Sequence, residues 1–285
     1  MIQFNNISFS YNKNPIFKNL TWEVKGTKKE GLIHFILSPS GYGKSTLFKL
    51  ILGVLTPENG SINIPESTRV SYVPQEPILF EHLSIYDNAT FFKNIKARKK
   101  EFDEDRFNEF AKVLGFDSKL LNSNKNINQL SGGQKRKLSL LKALSLNPDI
   151  LLLDEPTTGL DARVKMEFLN LLKVLADEHN ILVLYITHHF EEASLIANKI
   201  HYLLKETNGV IENISTQDLK QFKNNPPCLE AAYLVDFPES KIEKGNMKNE
   251  YFIPHKKGIY FRRVSDDNIQ IFLMNGNLLN DKNDN

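Results

Sequence analysis

The chain has a single cysteine, Cys228, among its 285 residues, so no internal disulfide can form; this suits a reducing compartment, and no role is assigned to the thiol. No charge of one sign prevails. Lysine and arginine number 36 against 34 aspartate and glutamate, for a formal net charge of +2, so nothing global points to nucleic acid or an anionic membrane surface. Long apolar runs are missing too. None approaches the roughly 20 residues that cross a bilayer, and the apolar stretch 47–55 is short and carries Lys49. Residues 1–10 show neither the basic start nor the continuous apolar run of a signal peptide. A composition of 41% hydrophobic and 25% charged residues fits a globular chain with one large domain and a small appendage. Any service to a membrane is therefore expected to pass through a partner.

The stretch that organises the chain is Ser38-Pro39-Ser40-Gly41-Tyr42-Gly43-Lys44-Ser45-Thr46. A short apolar run, 32–37, precedes it, and 47–52 reads as a helix. Strand, glycine-containing loop and helix N-terminus together aim backbone N–H groups at an anion. Lys44 can reach outer phosphates, Ser45 is placed to bind Mg2+, and Gly41 and Gly43 let a triphosphate lie against bare main chain. Ser38 stands where the usual pattern has its first glycine. If that corner needs a positive φ, the serine costs ~1 kcal/mol.

Around this loop the pattern is α/β. Phe4, Ile7 and Phe9, then Leu20, Trp22 and Val24, give two partly alternating strands around a polar loop at 12–15. Tyr11 ends the first, where it either stacks on a flat base or simply closes a strand. Strand-like pieces at 61–64 and 70–73 lead to Pro74-Gln75-Glu76-Pro77, where Gln75 is either a metal-ligating amide or an exposed turn residue. Residues 84–122 are mostly helical in pattern, with Phe107, Phe110 and Leu114 on one face and the basic group 96–100 on a solvated one. Leu130-Ser131-Gly132-Gly133-Gln134 then opens a further helix, as a second anion-seeking end or as a plain cap. The run 150–153 reads as a strand buried on both faces that delivers Asp154-Glu155 at its carboxyl end, the edge where ligands bind in open α/β sheets. Two adjacent acids there repel each other unless a cation or a shared task holds them. Asp161 follows in a loop before a helix at 164–175. A second buried strand, 181–187, ends on His188-His189 at the same edge, where His188 either caps the next helix or faces a ligand.

In this order, the loop at 38–46, Gln75, Leu-Ser-Gly-Gly-Gln at 130–134, Asp154-Glu155-Pro156, Gly-Leu-Asp at 159–161 and His188 resemble the nucleotide-binding subunit of ATP-binding cassette (ABC) transporters over about residues 1–215. The resemblance implies an α/β P-loop NTPase core with a mostly parallel sheet, an antiparallel β subdomain and a helical subdomain at about 76–143. It implies Mg2+-dependent hydrolysis of ATP. Tyr11 would stack on adenine. Lys44 and the main chain of 41–46 would hold the β- and γ-phosphates. Ser45 and Gln75 would ligate Mg2+, with Asp154 helping through water. Glu155 would polarise the attacking water, and His188 would contact the γ-phosphate. Ser131, Gly132, Gly133 and Gln134 would serve the nucleotide of an opposing cassette, with Asp161 at the seam. Each motif occurs once, so two chains are needed, either two copies or this chain with a different cassette. Phe80, His82 and Tyr86 would be candidates for passing closure to membrane permeases, with an internal core position as the alternative for each aromatic.

By the same resemblance the chain would sit on the cytoplasmic face of a membrane, serve an importer fed by a substrate-binding protein, and bind no nucleic acid. The detached cassette of an exporter and a dimerising module with little turnover are the alternatives. Three departures stand out: Ser38, His189 in place of a common aspartate, and Arg136-Lys137 in place of Gln-Arg. Residues 216–285 fall outside the match. Short strands are expected there at 251–253, 258–263 and 269–273, with a turn at Asn275-Gly276 and a disordered end at 280–285, as a packing extension or a truncated regulatory β subdomain.

Overall fold

The computed structural model describes the chain apart from residues 30, 96–101, 124, 207–208, 229–230, 232–233, 236–258, 266–267, 274–277 and 284–285. It divides into two compact units, 1–214 and 215–285. The first unit begins with β1 (Ile2–Tyr11) and β2 (Asn14–Val24), followed by β3 (Ile33–Leu37) and α1 (Lys44–Ile51). Next come β4 (Asn59–Asn63), β5 (Val70–Val73), α2 (Ile85–Ala89), α3 (Glu104–Val113), α4 (Ser118–Leu121) and α5 (Gly132–Leu144). It continues with β6 (Ile150–Asp154), α6 (Ala162–His179), β7 (Leu182–Thr187), α7 (Phe190–Ile196) and β8 (Lys199–Lys205), and β9 (Ile211–Asp218) spans the division.

One nine-stranded sheet runs β4-β1-β2-β9-β8-β3-β7-β6-β5. Its half from β8 to β5 is parallel, with β3 between β7 and β8. Every residue of β3, β6 and β7 is buried, because a parallel sheet covered on both faces has no solvent side to alternate toward. The antiparallel strands β1, β2 and β4 are not a separate sheet; β2 joins the parallel part by pairing Phe17 with Ile211 of β9. Alternation in β1 is only partial because Asn6 (φ 51°) shifts the register between Phe4 and Ile7, a bulge that moves the next apolar residue by one. The hairpin turn is shorter than expected. Only Asn12 and Lys13, both at positive φ, form it, and Pro15 already pairs with Ser10.

Helices at 84–122 are shorter than the pattern suggests, because each stops on a local device. The Asn88 side chain folds back onto the Phe80 main chain, and Gly115 (φ 78°) turns the chain after α3. Ser84, Asp103 and Asp117 cap α2, α3 and α4 with their side chains, and Phe107, Phe110 and Leu114 are buried as expected. The basic group 96–100 lies outside the described residues.

A buried ring chain ties the antiparallel strands to the strand that feeds the phosphate loop. Trp22 Nε1–H donates to His201 Nδ1 (3.1 Å), so His201 carries its proton on Nε2 and donates to His34 Nδ1 (3.0 Å). His34 Nε2–H then donates to the Gly31 carbonyl (3.2 Å). This order of donors is complete only while both rings are neutral, and burial together with the nearby His34 and Lys199 pushes the His201 pKa well below the ordinary range.

In the second unit α8 (Leu219–Asn224), capped by Asp218, follows β9. A three-stranded antiparallel sheet is formed by β10 (Ile259–Ser265), β11 (Asn268–Leu273) and β12 (Leu278–Asn283). The expected strand at 251–253 and turn at 275–276 lie outside the described residues. Residues 280–283, expected to be disordered, instead pair with 268–271, since an antiparallel ladder is held by main-chain groups whatever the side chains.

Candidate functional site

Two strand ends set the site. β3 ends at Leu37 and releases the loop 38–43; β6 ends at Asp154 and releases the turn that starts with Glu155. β7 lies between them in the sheet and brings Thr187 and His188 to the same edge. A cleft of about 380 Å3 opens there, lined by Tyr11, Ile16, Ser40, Gly41, Gly43–Thr46, Gln75, Asp154, Glu155 and Ile186.

Gly43 (φ 84°) is the N-cap of α1 and gives no side-chain bond to the helix, so the first-turn N–H groups are left to face the cleft. A Cβ on Gly43 would meet Ile16 Cγ2 at 2.7 Å, whereas Gly41 (φ 82°) has open space around it. The first glycine is needed for close packing and backbone, the second for backbone alone. The expected cost at Ser38 does not arise: Ser38 is absent from the positive-φ residues, so its corner is one any residue adopts. Ser38 is buried, and its carbonyl accepts a hydrogen bond from Lys44 Nζ at 2.7 Å, with the Pro39 carbonyl at 3.0 Å. Burial pulls the Lys44 pKa down, against the opposing pull of Glu155 and Asp154. Tyr42 does not line the cleft; its ring carries the Lys205 ammonium at 4.8 Å.

Asp154 is buried, which raises its pKa; hydrogen bonds from Ser45 and Tyr72 and the charge of Lys44 oppose that rise, while Glu155 adds to it. Glu155 sits at φ 45°, a strained setting for a glutamate that costs about 1–3 kcal/mol. Its main-chain N–H bonds to the Ile186 carbonyl (2.9 Å), which locks the turn to β7. The carboxylate is met by His188 Nδ1 at 2.9 Å, and by Gln75 Nε2 and Thr158 Oγ1 at 3.4 Å each. His188 is not the N-cap of α7, which is His189, and it is not among the residues that line the cleft; it reaches the site through Glu155. His189 occupies the N-cap of α7 but makes no side-chain cap bond, and its ring lies 3.9 Å from that of His188.

The turn is pinned from beneath by a second group of side chains. Glu192, 1% exposed, accepts from Thr157 Oγ1 (2.8 Å), Tyr185 Oη (2.8 Å) and Lys165 Nζ (2.9 Å). Tyr185 stacks on Phe35 of β3, 4.5 Å between centroids, so the strands feeding the loop and the turn are joined here.

Ser131, Gly132, Gly133, Gln134 and Asp161 do not line the cleft. Ser131 and Gln134 form a capping box: Ser131 Oγ accepts from the Gln134 N–H (3.2 Å), and Gln134 Oε1 accepts from the Ser131 N–H (2.9 Å). Ser131, Gly132, Gln134 and Asp161 are nevertheless exposed, and the Ser131 hydroxyl proton stays free to donate outward. Gly133 is required within the chain, since a Cβ would lie 2.7 Å from Val164 Cγ1; Gly132 has nothing within 4 Å. Asp161 caps α6 through the Val164 N–H (3.0 Å). Of the aromatic contact candidates, His82 is exposed, while Phe80 stacks on Phe91 and Tyr86 meets Phe107 edge-on.

Sequence reasoning missed Tyr72, whose Oη donates to Asp154 Oδ2 (3.4 Å) and whose pKa is pushed up to about 12, chiefly by burial. The signal lay in β5, where Tyr72 is paired with Leu152, two residues before Asp154. Ile16 was missed as well, because its role is only to fill the space that Gly43 leaves.

With this geometry in place, the chain was compared with known proteins. The ABC transporter family model matches residues 21–158. The molybdate/tungstate import ATP-binding protein WtpC of Pyrococcus abyssi is 31% identical over 259 residues, 87% of this chain and 71% of that one. The spermidine/putrescine import ATP-binding protein PotA of Acetivibrio thermocellus is 33% identical over 263 residues, 88% of this chain and 70% of that one. Among solved structures, the dimeric post-hydrolysis state of the ATP-binding cassette MJ0796 bound to ADP and Pi has a TM-score of 0.60 at 26% identity, covering 77% of this chain and 99% of that one. Likeness of this extent, in sequence and in fold alike, places the chain in the ABC transporter family, among the nucleotide-binding subunits of its importers.

Proposed function

We propose that this chain binds Mg-ATP in the cleft between the 38–46 loop and Asp154-Glu155 and hydrolyses it, with a second cassette closing over the nucleotide and separate membrane permeases receiving the motion. One observation carries this reading: Lys44, Ser45, Gln75, Asp154 and Glu155 line a single cleft at the carboxyl edge of the sheet. The donors suit Mg2+, since Ser45, Asp154 and Gln75 offer hard oxygens and Ser45 already bonds to Asp154. Mg2+ held by Ser45, Gln75 and Asp154 would supply charge neutralisation to the phosphate oxygens.

The remaining work falls to this chain's residues. N–H groups of the loop and of the first turn of α1 orient the phosphates, and Lys44 turns from the carbonyls of Ser38 and Pro39 to an outer phosphate oxygen. Glu155, held by His188, accepts a proton from the water that attacks the γ-phosphorus. Tyr11, 39% exposed at the rim, offers its ring face to the base. Ser131 and the open N-terminal turn of α5 face outward, as suits a nucleotide held by another cassette; a second copy of this chain supplies the simplest pair. No described helix is long and apolar enough to cross a membrane. Action from the cytoplasmic face through permeases is the reading that the similarity to import ATP-binding subunits supports. WtpC and PotA are named for an oxyanion and for polyamines, opposite in charge, on a common cassette. Cargo choice accordingly belongs to the permeases and a substrate-binding protein.

Steady-state ATP turnover in wild type and Glu155→Gln tests the assignment. The variant is expected to lose at least about 100-fold in kcat while still binding ATP. Equal rates would remove Glu155 from the chemistry.

A further inference from the structure

Arg136 takes no part in the reading above, yet it is incompletely bonded. It lies on α5 five residues after the Ser131 cap and is 7% exposed. Its Nη2 donates to the Thr158 carbonyl at 3.1 Å, and its Nη1 is buried with no hydrogen-bond partner. A charged donor left unmade in the interior is costly, and a carboxylate within its reach would repay that cost. Burial disfavours the charge, and Glu76 is the acid whose field opposes that. Glu76 is exposed and follows Gln75 directly.

These neighbours locate Arg136 at a junction. The Thr158 it holds also donates through Oγ1 to Glu155 Oε2, so Arg136 acts on the turn that presents Glu155. Its own helix begins at Ser131, about 7 Å away along the axis at 1.5 Å per residue. The third party is the bend at Gln75-Glu76, whose Gln75 amide touches the same carboxylate. Thr157 is fixed by Glu192 on one side, which leaves the Thr158 carbonyl as the point where α5 can move the turn.

We propose that Arg136 is a positioning residue that holds the Glu155 turn through Thr158, and that its Nη1 takes the Glu76 carboxylate when α5 and the Gln75 bend close on ATP. The inference rests on the function given above, since closure on ATP belongs to it. Arg136 thereby joins the helix end that serves one nucleotide to the carboxylate that acts on another.

The test is steady-state Mg-ATP turnover by the full chain in Arg136→Met, Arg136→Lys, Glu76→Gln and the Arg136→Met/Glu76→Gln double variant. Arg136→Met is expected to lower kcat about tenfold with KM for ATP within about twofold, because no residue lining the cleft is changed. Arg136→Lys, which keeps one donor and the charge, recovers part of that loss. Glu76→Gln lowers kcat about threefold, and the double variant is no slower than Arg136→Met, as coupled partners require. Additive losses in the double variant overturn the pairing with Glu76. An unchanged kcat in Arg136→Met, or a loss confined to KM, overturns the positioning role. If Arg136→Met fails to fold, Glu76→Gln and Arg136→Lys decide, and wild-type kcat in both overturns the inference. Glu155→Gln is measured alongside: a wild-type rate there sinks the function itself, whereas an inactive Glu155→Gln beside wild-type Arg136 and Glu76 variants sinks only this inference.

Discussion

Replacing Glu192 by alanine gives the sharpest test of how the Glu155 turn is supported. The carboxylate is 1% exposed and receives Thr157, Tyr185 and Lys165 within 2.9 Å. Its removal does not orphan all three. Thr157 Oγ1 and Tyr185 Oη lie 2.8 Å apart and can satisfy one another in part, and the Lys165 side chain, 29% exposed, can reach water. One buried hydroxyl proton is then left without an acceptor, at roughly 1–3 kcal/mol, and lost packing adds about 1 kcal/mol. The expected loss is about 3 kcal/mol, at the lower edge of the roughly 3–5 kcal/mol for breaking a buried ion pair. Trp22 is the only tryptophan and is buried, so its fluorescence reports the unfolding of this unit. With a urea m-value near 3 kcal/mol/M, the midpoint shifts down by about 1 M. Tyr185→Phe in wild type is expected to cost about 1 kcal/mol, and close to nothing in the Glu192→Ala background, where the stranded donor is what it removes. A shift below about 0.3 M for Glu192→Ala, or equal costs of Tyr185→Phe in both backgrounds, refutes the reasoning.

Three further predictions concern Asp154, His201 and Gly133. Asp154→Asn raises the thermal midpoint of the nucleotide-free chain at neutral pH: burial raises the Asp154 pKa, so this group's contribution to stability is most favourable at low pH and is lost as pH rises through that pKa and the charge forms; turnover is lost in the same variant, and an unchanged or lower midpoint counts against it. His201 is neutral when folded and binds a proton when unfolded, so stability is full above the unfolded value near 6.5 and declines below it by up to about 1.4 kcal/mol per pH unit; His201→Gln should flatten that slope in urea titrations followed at Trp22. Gly133→Ala destabilises the single chain by about 1–3 kcal/mol through the contact with Val164, whereas Gly132→Ala leaves unfolding unchanged and acts only on ATP-dependent dimerisation seen by light scattering.

Much of this was legible in the residues because each motif states its own geometry. The wholly apolar run at 150–153 could only be a strand covered on both faces, and it delivers Asp154 to the ligand edge as read. The phosphate loop was readable for the same reason, since strand, glycines and helix start occur in that order. The cost at Ser38 could be stated only as a condition, because a consensus glycine does not say whether its φ or its size is what matters, and here the φ is not positive. The Asn6 bulge escaped notice because asparagine enters the left-handed region without any sign in the hydrophobic pattern. Tyr72 and Glu192 were invisible for another reason, and Arg136 showed only as a departure from the motif: each bonds a partner more than 20 residues away, and no local spacing encodes that.

Lys44 rests with its ammonium on the Ser38 and Pro39 carbonyls, 2.7 and 3.0 Å away. Those neutral carbonyls leave the positive charge of Lys44 in place and occupy its donors. Any phosphate that takes Lys44 must replace both carbonyl bonds, so part of its binding energy goes to releasing that side chain.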